Sequence, residues 1–359
     1  MKKVIFLTLL SLLSVIYSRS QGCIVVRGLS GFGQYNPVDR SYVVSDWLIN
    51  VNNRYFSTSH VYVGTHDQHV PIDNQSVNHN FSTEIDVTRI LNNGWSLGFS
   101  LPFAANSRTS AVEHGGVGTP SHTTHAVGVG DISLTVYKWL WKPAANQKGN
   151  IQLGLGFKFP TGAFAYQDFY YKNDSTRILA PVNLSIQLGD GGTGFITELN
   201  SFYFLSNSFG LYGNFYYLIN PRDQNGVSPL LGVTPTAIQL RTGGNVTSVP
   251  DQYSIRAGFN YIVKQFVFSA GLRDEGVPVY DLVGGSEGVR RPGYNVSIEP
   301  GITYNMKNVS IYGYVPIFIK HTILQGVPDR EVKELTGVDI TGGGGSGDWM
   351  IFLGFMVKL

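Results

Sequence analysis

The chain has 359 residues, 43 of them glycine, with 13% aromatic and 14% charged residues and a formal net charge of +2. So few charges beside so many aromatics and glycines fit neither an ordinary soluble enzyme nor a disordered chain. No internal apolar run reaches the roughly 18 residues of a membrane helix, so a bilayer-spanning form has to be a β-barrel, the other architecture that satisfies every backbone polar group without water.

Residues 1–20 read as a cleaved signal peptide: Lys2 and Lys3, an apolar core from Val4 to Ile16, then the small residues Ser18 and Ser20 around Arg19. Removing Lys2, Lys3 and Arg19 takes the 26 basic residues to 23 against 24 acidic ones. The mature chain then has no basic bias, and no nucleic-acid partner is expected. Cys23 is the only cysteine, so no intrachain disulfide can form. Its place near the new N-terminus raises lipidation, but Ser20-Gln21-Gly22 is a poor lipoprotein processing site. Residues 21–40, with Gly28, Gly31, Gly33 and Pro37, form a periplasmic or lumenal lead-in, and the barrel is expected over residues 41–359.

The first strand is expected over 41–56, with Trp47, Ile49, Val51 and Tyr55 on one face and Asp46, Asn50, Asn52 and Arg54 on the other. The second (80–91) sets Phe81, Ile85 and Val87 opposite Glu84 and Asp86. The turn Asn92-Asn93-Gly94 leads into a third strand, 95–102, making a hairpin. A polar loop precedes the fourth strand (130–141), and the fifth (150–160) alternates Ile151, Leu153, Leu155 and Phe157 with Gln152, Gly154, Gly156 and Lys158. Pro160-Thr161-Gly162 breaks the pattern and opens a long external excursion, 161–193. Leu179 to Leu188 also has strand character. Counting it would throw the short connection 206–208 outside and the long stretch 221–250 into the periplasm, so it belongs with the excursion.

Further strands are expected over 194–205, 209–220, 251–263 and 265–273. The clearest pair is 293–320. Tyr294, Val296, Ile298, Ile302 and Tyr304 alternate with polar residues, and after Met306-Lys307-Asn308 the second strand puts Ile311, Ile317 and Ile319 opposite Tyr312, Tyr314, Phe318 and Lys320. Each runs for about a dozen residues, twice an ordinary strand, which suits a tilted membrane crossing. In the last strand, 348–359, Trp349, Ile351, Leu353, Phe355, Val357 and Leu359 are apolar at every second position, the face a closing strand offers to lipid and to the barrel assembly machinery. Short and long connections alternate throughout. The fold class is therefore all-β: a monomeric transmembrane antiparallel barrel of about 12 strands with both termini at the short-turn end, or 14 if the N-terminal region or the excursion hides a hairpin.

The face opposite the lipid carries Asp46, Arg54, Glu84, Asp86, Asp131, Lys158, Glu198, Arg256, Arg273, Glu299 and Lys320. These charges line a polar pore that orients a passing solute, or pair with one another to fill a narrow barrel. The excursion holds Phe164, Tyr166, Asp168, Phe169, Tyr170 and Tyr171, candidates for a constriction folded into the mouth or for an external aromatic belt. All eight histidines fall in or beside external loops. His66/His69 and His122/His125 have metal-compatible spacing, but no cysteine joins them and no metal or other cofactor is expected. No Gly-x-Ser-x-Gly elbow is present. The glycines 342–345 before Ser346 lack the Lys of a phosphate loop, so enzymatic activity is not expected.

At Gly128-Val129-Gly130-Asp131-Ile132-Ser133-Leu134, and again from Gly149 through Phe159-Pro160-Thr161-Gly162, the sequence resembles the outer-membrane proteins grouped as the meta-pathway phenol degradation family. That resemblance implies a transporter-like barrel passing small, hydrophobic or aromatic molecules across a Gram-negative outer membrane, without catalytic residues. A structural or adhesion barrel with ligand-binding loops is the alternative, and a lipid-acting barrel enzyme a more distant one.

Overall fold

The computed structural model describes residues 46–58, 60–71, 75–143 and 148–359, and the backbone of Tyr35–Asn36 and Ser41–Tyr42. The expected signal peptide, Cys23 and nearly all of the lead-in lie outside the described residues. Alternating sequence becomes twelve antiparallel strands closed into a ring. They are β1 (Trp47–Thr58), β2 (Val77–Ile90), β3 (Trp95–Ser110), β4 (His122–Val129 continued by Ser133–Trp139), β5 (Gly149–Lys158) and β6 (Gly194–Phe204). The second half comprises β7 (Phe209–Ile219), β8 (Gln252–Val263), β9 (Phe266–Val277), β10 (Gly293–Asn305), β11 (Val309–Tyr314 continued by Ile317–Ile323) and β12 (Met350–Lys358). Each strand pairs with its sequence neighbours, and the ring closes where β12 meets β1, from Met350↔Phe56 to Lys358↔Leu48. Among the described residues no helix is long and apolar enough to cross a membrane. Two short helices among the described residues, α1 (Ala237–Arg241) and α2 (Val327–Thr336), sit in loops at the long-loop end.

Parity decides which side chains face out. Leu155 is 67% exposed, Leu353 54% and Leu272 57%, and Phe81, Phe157, Phe195, Phe259 and Ile302 stand beside them on the outer wall. A continuous apolar surface of this extent needs lipid to cover it. Inward positions are polar and buried, among them Asn52, Asp86, Gln152, Asn200, Arg273 and Glu299. Two inward tyrosines lie across glycines of the neighbouring strand. A Cβ on Gly301 would come within 2.2 Å of the Tyr314 ring, and one on Gly354 within 2.4 Å of Tyr312. Glycine at these two places lets a large ring fill a narrow lumen.

Three expectations are corrected. The wall begins at Trp47 rather than 41, because Ser41–Tyr42 pairs with Tyr35–Asn36 in a separate small ladder. The hairpin β2/β3 runs on to Ser110, well past Pro102. Pro102 lacks an N–H, and it lies where β4 bulges: Phe103 pairs with Val129 and Ser100 with Ser133, leaving 130–132 opposite two residues. The third correction concerns Lys320. Val296 pairs with Lys320 but Ser297 with Phe318, so Ile319 is an extra residue that reverses the parity. Lys320 points outward over the Tyr294 ring at 5.2 Å, and His321 turns inward. Asp46 lies at the outer rim, 3.2 Å from Arg89.

Because Leu155 faces hydrocarbon at mid-wall, Leu155→Arg should cost about 2–4 kcal/mol when the protein is refolded into lipid. At an exposed site of a soluble protein the same change stays within about 0.5 kcal/mol. Denaturant titration in vesicles decides between the two.

Candidate functional site: the plugged mouth

The long-loop end of the barrel is occupied by its own chain. After β5 the excursion first rises into a hairpin, Gln167–Tyr171 against Arg177–Pro181, and then returns across the mouth as residues 182–190. Val182, Ile186 and Leu188 are buried against the inward Ala104 and Ala126 of β3 and β4. Small side chains on that stretch of wall leave room for the returning segment. Polar contacts fix its height: Asn78 Nδ2 donates to Ser185 Oγ at 3.2 Å, and Asn106 Nδ2 to the Ile186 carbonyl at 3.2 Å.

Two charged tethers hold the segment at its ends. At the first, Arg108 Nε donates to Glu113 Oε2 at 2.9 Å, and Asn183 Nδ2 donates to the other oxygen, Oε1, at 2.8 Å. Arg108 also donates to Asn78 Oδ1 at 2.7 Å. At the second, Lys158 Nζ sits between Asp131, 3.3 Å away, and Asp190 in closer contact. Asp131 Oδ1 further accepts from Gly162 N at 2.9 Å, and Thr161 Oγ1 bridges Gly130 O and Ile132 N, each at 2.9 Å. The segments Gly128–Leu134 and Gly149–Gly162, singled out in the sequence, thus form the knot that anchors the excursion to the wall.

Beside the plug lies a cavity of about 130 Å³. Phe164, Val182, Leu184 and Gln187 of the excursion line it, with Asn225, Val227 and Ser248 of loop 220–251 and Val289 and Arg290 of loop 278–292. Arg290 is held there by both Asp281 oxygens, at 2.6 Å each, and by Ser248 Oγ, at 2.6 Å from Nη2. Arg222 donates to the Gly191 carbonyl at 2.5 Å and stands 5.8 Å from the Phe164 ring. Apolar side chains share the walls with about as many polar ones, Asp190, Thr247 and Gln252 among them, which can orient an occupant.

Below the mouth the lumen is polar and cross-linked. Glu299 accepts from Arg256 Nε at 2.9 Å and from Arg273 Nη1 at 3.3 Å, and Arg273 Nη2 reaches Glu275 at 2.7 Å. Asp86 accepts from Ser100 at 2.5 Å and from Asn50 at 3.0 Å, and Glu198 from Tyr137 at 3.3 Å. Arg54 and Glu84 share this inward parity, and Arg54 lies 5.5 Å from the Phe56 ring. At the short-turn end Phe202, Phe204, Ile262 and Val267 form an apolar cluster on one side, and buried Ser96, Asn150, Asn305 and Ser310 keep the rest polar. Strand periodicity foretold this inward set, apart from Lys320 and Asp46. It missed Glu275, two residues beyond Arg273 on the same parity, and it missed Asp190 and the Arg108–Glu113 pair.

The six aromatic-run candidates divide. Phe164 lines the cavity, and Tyr166 packs against the buried Val182 group. Asp168, Phe169, Tyr170 and Tyr171 belong to the hairpin, which rests on β4 and loop 111–121. Asp168 accepts from His125 N at 2.8 Å, Phe169 lies under Arg177 at 4.2 Å, and Tyr170 is fully buried with Ala180 and Leu231. Tyr171 stacks on His122 at 4.4 Å and donates its N–H to His114 Nδ1 at 3.0 Å. The residues that cross the mouth are therefore 182–190 and not the run 168–171.

Among the described residues, no group of three or more potential ligands could hold a metal ion. His321 Nδ1 meets Ser346 Oγ at 2.6 Å, but Asn295 Oδ1 lies 2.8 Å from the same nitrogen. A catalytic imidazole presents one nitrogen to the nucleophile and the other to its orienting partner, and this one does not.

No family model and no curated protein sequence matches the chain. Among solved structures, it is similar to an outer membrane channel from Pseudomonas putida F1, with 13% identity, 92% of this chain and 99% of that one covered, and a TM-score of 0.57. A Pseudomonas aeruginosa FadL homologue aligns at 10% identity over 90% of this chain and 92% of that one, with a TM-score of 0.41. The TodX monoaromatic hydrocarbon channel aligns at 10% identity over 95% and 96%, with a TM-score of 0.39. The fold shared with the first is that of an outer-membrane β-barrel.

Two expected outcomes follow from the tethers. Lys158→Met leaves Asp131 and Asp190 facing each other unneutralised and should cost about 3–5 kcal/mol, with faster tryptic cleavage at Lys172 and Arg177 as the excursion lifts. The second concerns pH. Burial, then the charge of His122, pushes His114 down to about 4 from the ordinary 6.5. The neutral ring accepts the Tyr171 N–H, and a protonated ring cannot. The depressed value means that this anchor is intact above pH 6.5 and is lost as the pH falls toward 4. Limited proteolysis of the hairpin across that window should show cleavage rising on acidification, and His114→Asn should flatten the rise.

Proposed function

We propose that the chain is a monomeric outer-membrane channel of a Gram-negative bacterium that admits small molecules built on a single apolar or aromatic ring. The observation that carries this reading is the mouth cavity. Its 130 Å³ is close to the roughly 150 Å³ apolar cavity that accommodates benzene in an unrelated protein. Phe164, Val182, Leu184 and Val289 on its walls suit a ring, and Gln187, Asn225 and Ser248 suit one hydroxyl or carbonyl on it. The resemblance to the meta-pathway phenol degradation family points the same way, and its motif residues form the anchor of the plug beside this cavity. The P. putida structure to which the chain is similar is described as an outer membrane channel, and that likeness supports passage rather than catalysis. The barrel assembly machinery would insert the protein, and lipid would cover the apolar wall.

On this reading a solute first occupies the cavity and the segment 182–190 then yields. The inward charges Arg54, Glu84, Asp86, Glu198, Arg256, Arg273 and Glu299 give the lumen beneath its polarity. Lys158 and Asp131 hold the plug rather than line the path. Leu184→Trp, which fills the cavity, should lower phenol entry into proteoliposomes severalfold while heat-modifiable migration on a gel stays unchanged. Deleting residues 182–187 should raise single-channel conductance in planar bilayers. If both variants transport as the parent does, the cavity and the plug have no part in permeation.

A further inference from the structure

The two ends of the barrel differ in charge. The five short turns carry Lys142, Lys148, Lys264 and Lys307 and not one carboxylate side chain. On the strand ends beside them stand Arg89 and Lys138, and Asp46 is the only acidic side chain on that rim among the described residues. The long loops, by contrast, mix basic residues with many acidic ones, and several pair: Arg290 with Asp281, Lys333 with Asp339, Arg108 with Glu113.

The basic rim also has a direction. Arg89 lies over the Trp47 ring at 5.0 Å, Lys138 over Trp95 at 4.7 Å and Lys148 over Tyr203 at 5.3 Å. Those rings are outward and exposed, so the cations sit where aromatic side chains mark the boundary between hydrocarbon and headgroups. They are distributed round the circumference, at the ends of β2, β4, β8 and β10, rather than gathered in one patch. Lys264 occupies a hairpin turn with φ +52°, a conformation that glycine or asparagine adopts with less strain.

We propose that this rim binds the phosphates of anionic phospholipids in the leaflet around the short-turn end, which in outer-membrane barrels is the periplasmic leaflet. A circumferential set of cations beside an aromatic girdle matches a surrounding lipid annulus, whereas a folded partner would meet one side of it. Each lysine within a Debye length of the headgroups strengthens the attraction, and the effects accumulate.

The test uses the full barrel in neutral detergent, titrated with short-chain phosphatidylglycerol or phosphatidylcholine and followed by tryptophan fluorescence, with inorganic phosphate as a third arm. The parent should prefer phosphatidylglycerol. Replacing Lys142, Lys148, Lys264 and Lys307 together by glutamine should reduce that preference at least about tenfold, since each cation contributes about fivefold. The same four positions changed to arginine should retain it, which separates lost charge from lost folding. Equal affinity for the two lipids in the parent, a preference that survives the glutamine changes, or its abolition by millimolar inorganic phosphate each overturns the proposal.

Discussion

The ring of main-chain hydrogen bonds that closes between β12 and β1 is the constraint from which the remaining features descend. In hydrocarbon an unpaired backbone group costs several kcal/mol, so the wall admits no open edge, and a closed wall forces strict alternation of outward and inward side chains. The outer set must be apolar. The inner set is then the polar one, and in a narrow barrel its charges have little water to rely on. Arg256, Arg273, Glu275 and Glu299 answer by binding one another, and Asp86 by recruiting Ser100 and Asn50. An Arg–Glu lattice is therefore what closure demands of this lumen before any solute is considered.

Departures from the ladder are where the chain gains features that alternation cannot supply. The bulge at 130–132, placed opposite Pro102, brings Asp131 within reach of Lys158, Gly162 and Asp190. That single irregularity converts a wall residue into the post to which the excursion is tied. The second, at Ile319, exchanges Lys320 for His321 on the inner face and so brings an imidazole to Ser346 and Asn295. Both bulges lie on the long-loop side of their strands.

This division explains what could be read in the sequence. Tyr294 to Tyr304 and Trp349 to Leu359 announce themselves because lipid on one side enforces a period of two along their whole length. The number of strands follows from the same signal together with the alternating length of the connections. Above the lipid the enforcement stops: the extension of β3 to Ser110 keeps its register through polar pairs, so Arg108 carries no periodic mark. The return segment 182–188 is equally silent, since its burial depends on Ala104 and Ala126, some 60 to 80 residues away, being small. Lys320 was misplaced because one extra residue reverses every later side chain, and nothing local in Ile317 to Ile323 marks which residue is extra.

Under the proposed function, the polarity of the path bears on how a plugged barrel would conduct. On the proposed reading a solute would meet in turn the mouth cavity, a charged and hydrogen-bonded midsection, and a floor where Phe202, Phe204, Ile262 and Val267 stand beside polar Asn150 and Asn305. A wholly apolar molecule would gain nothing in the midsection, whereas a ring bearing one hydrogen-bonding group could exchange partners with Asn and Ser side chains there without breaking the ion pairs. Movement of the plug is compatible with this only because its two tethers are unequal. Asn183 is held through a neutral amide on Glu113, whereas Asp190 is held by a charge on Lys158. A hydrogen bond to a neutral group contributes less than one between charges, so on the proposed reading the end at Asn183 would let go first and the segment would swing about Asp190.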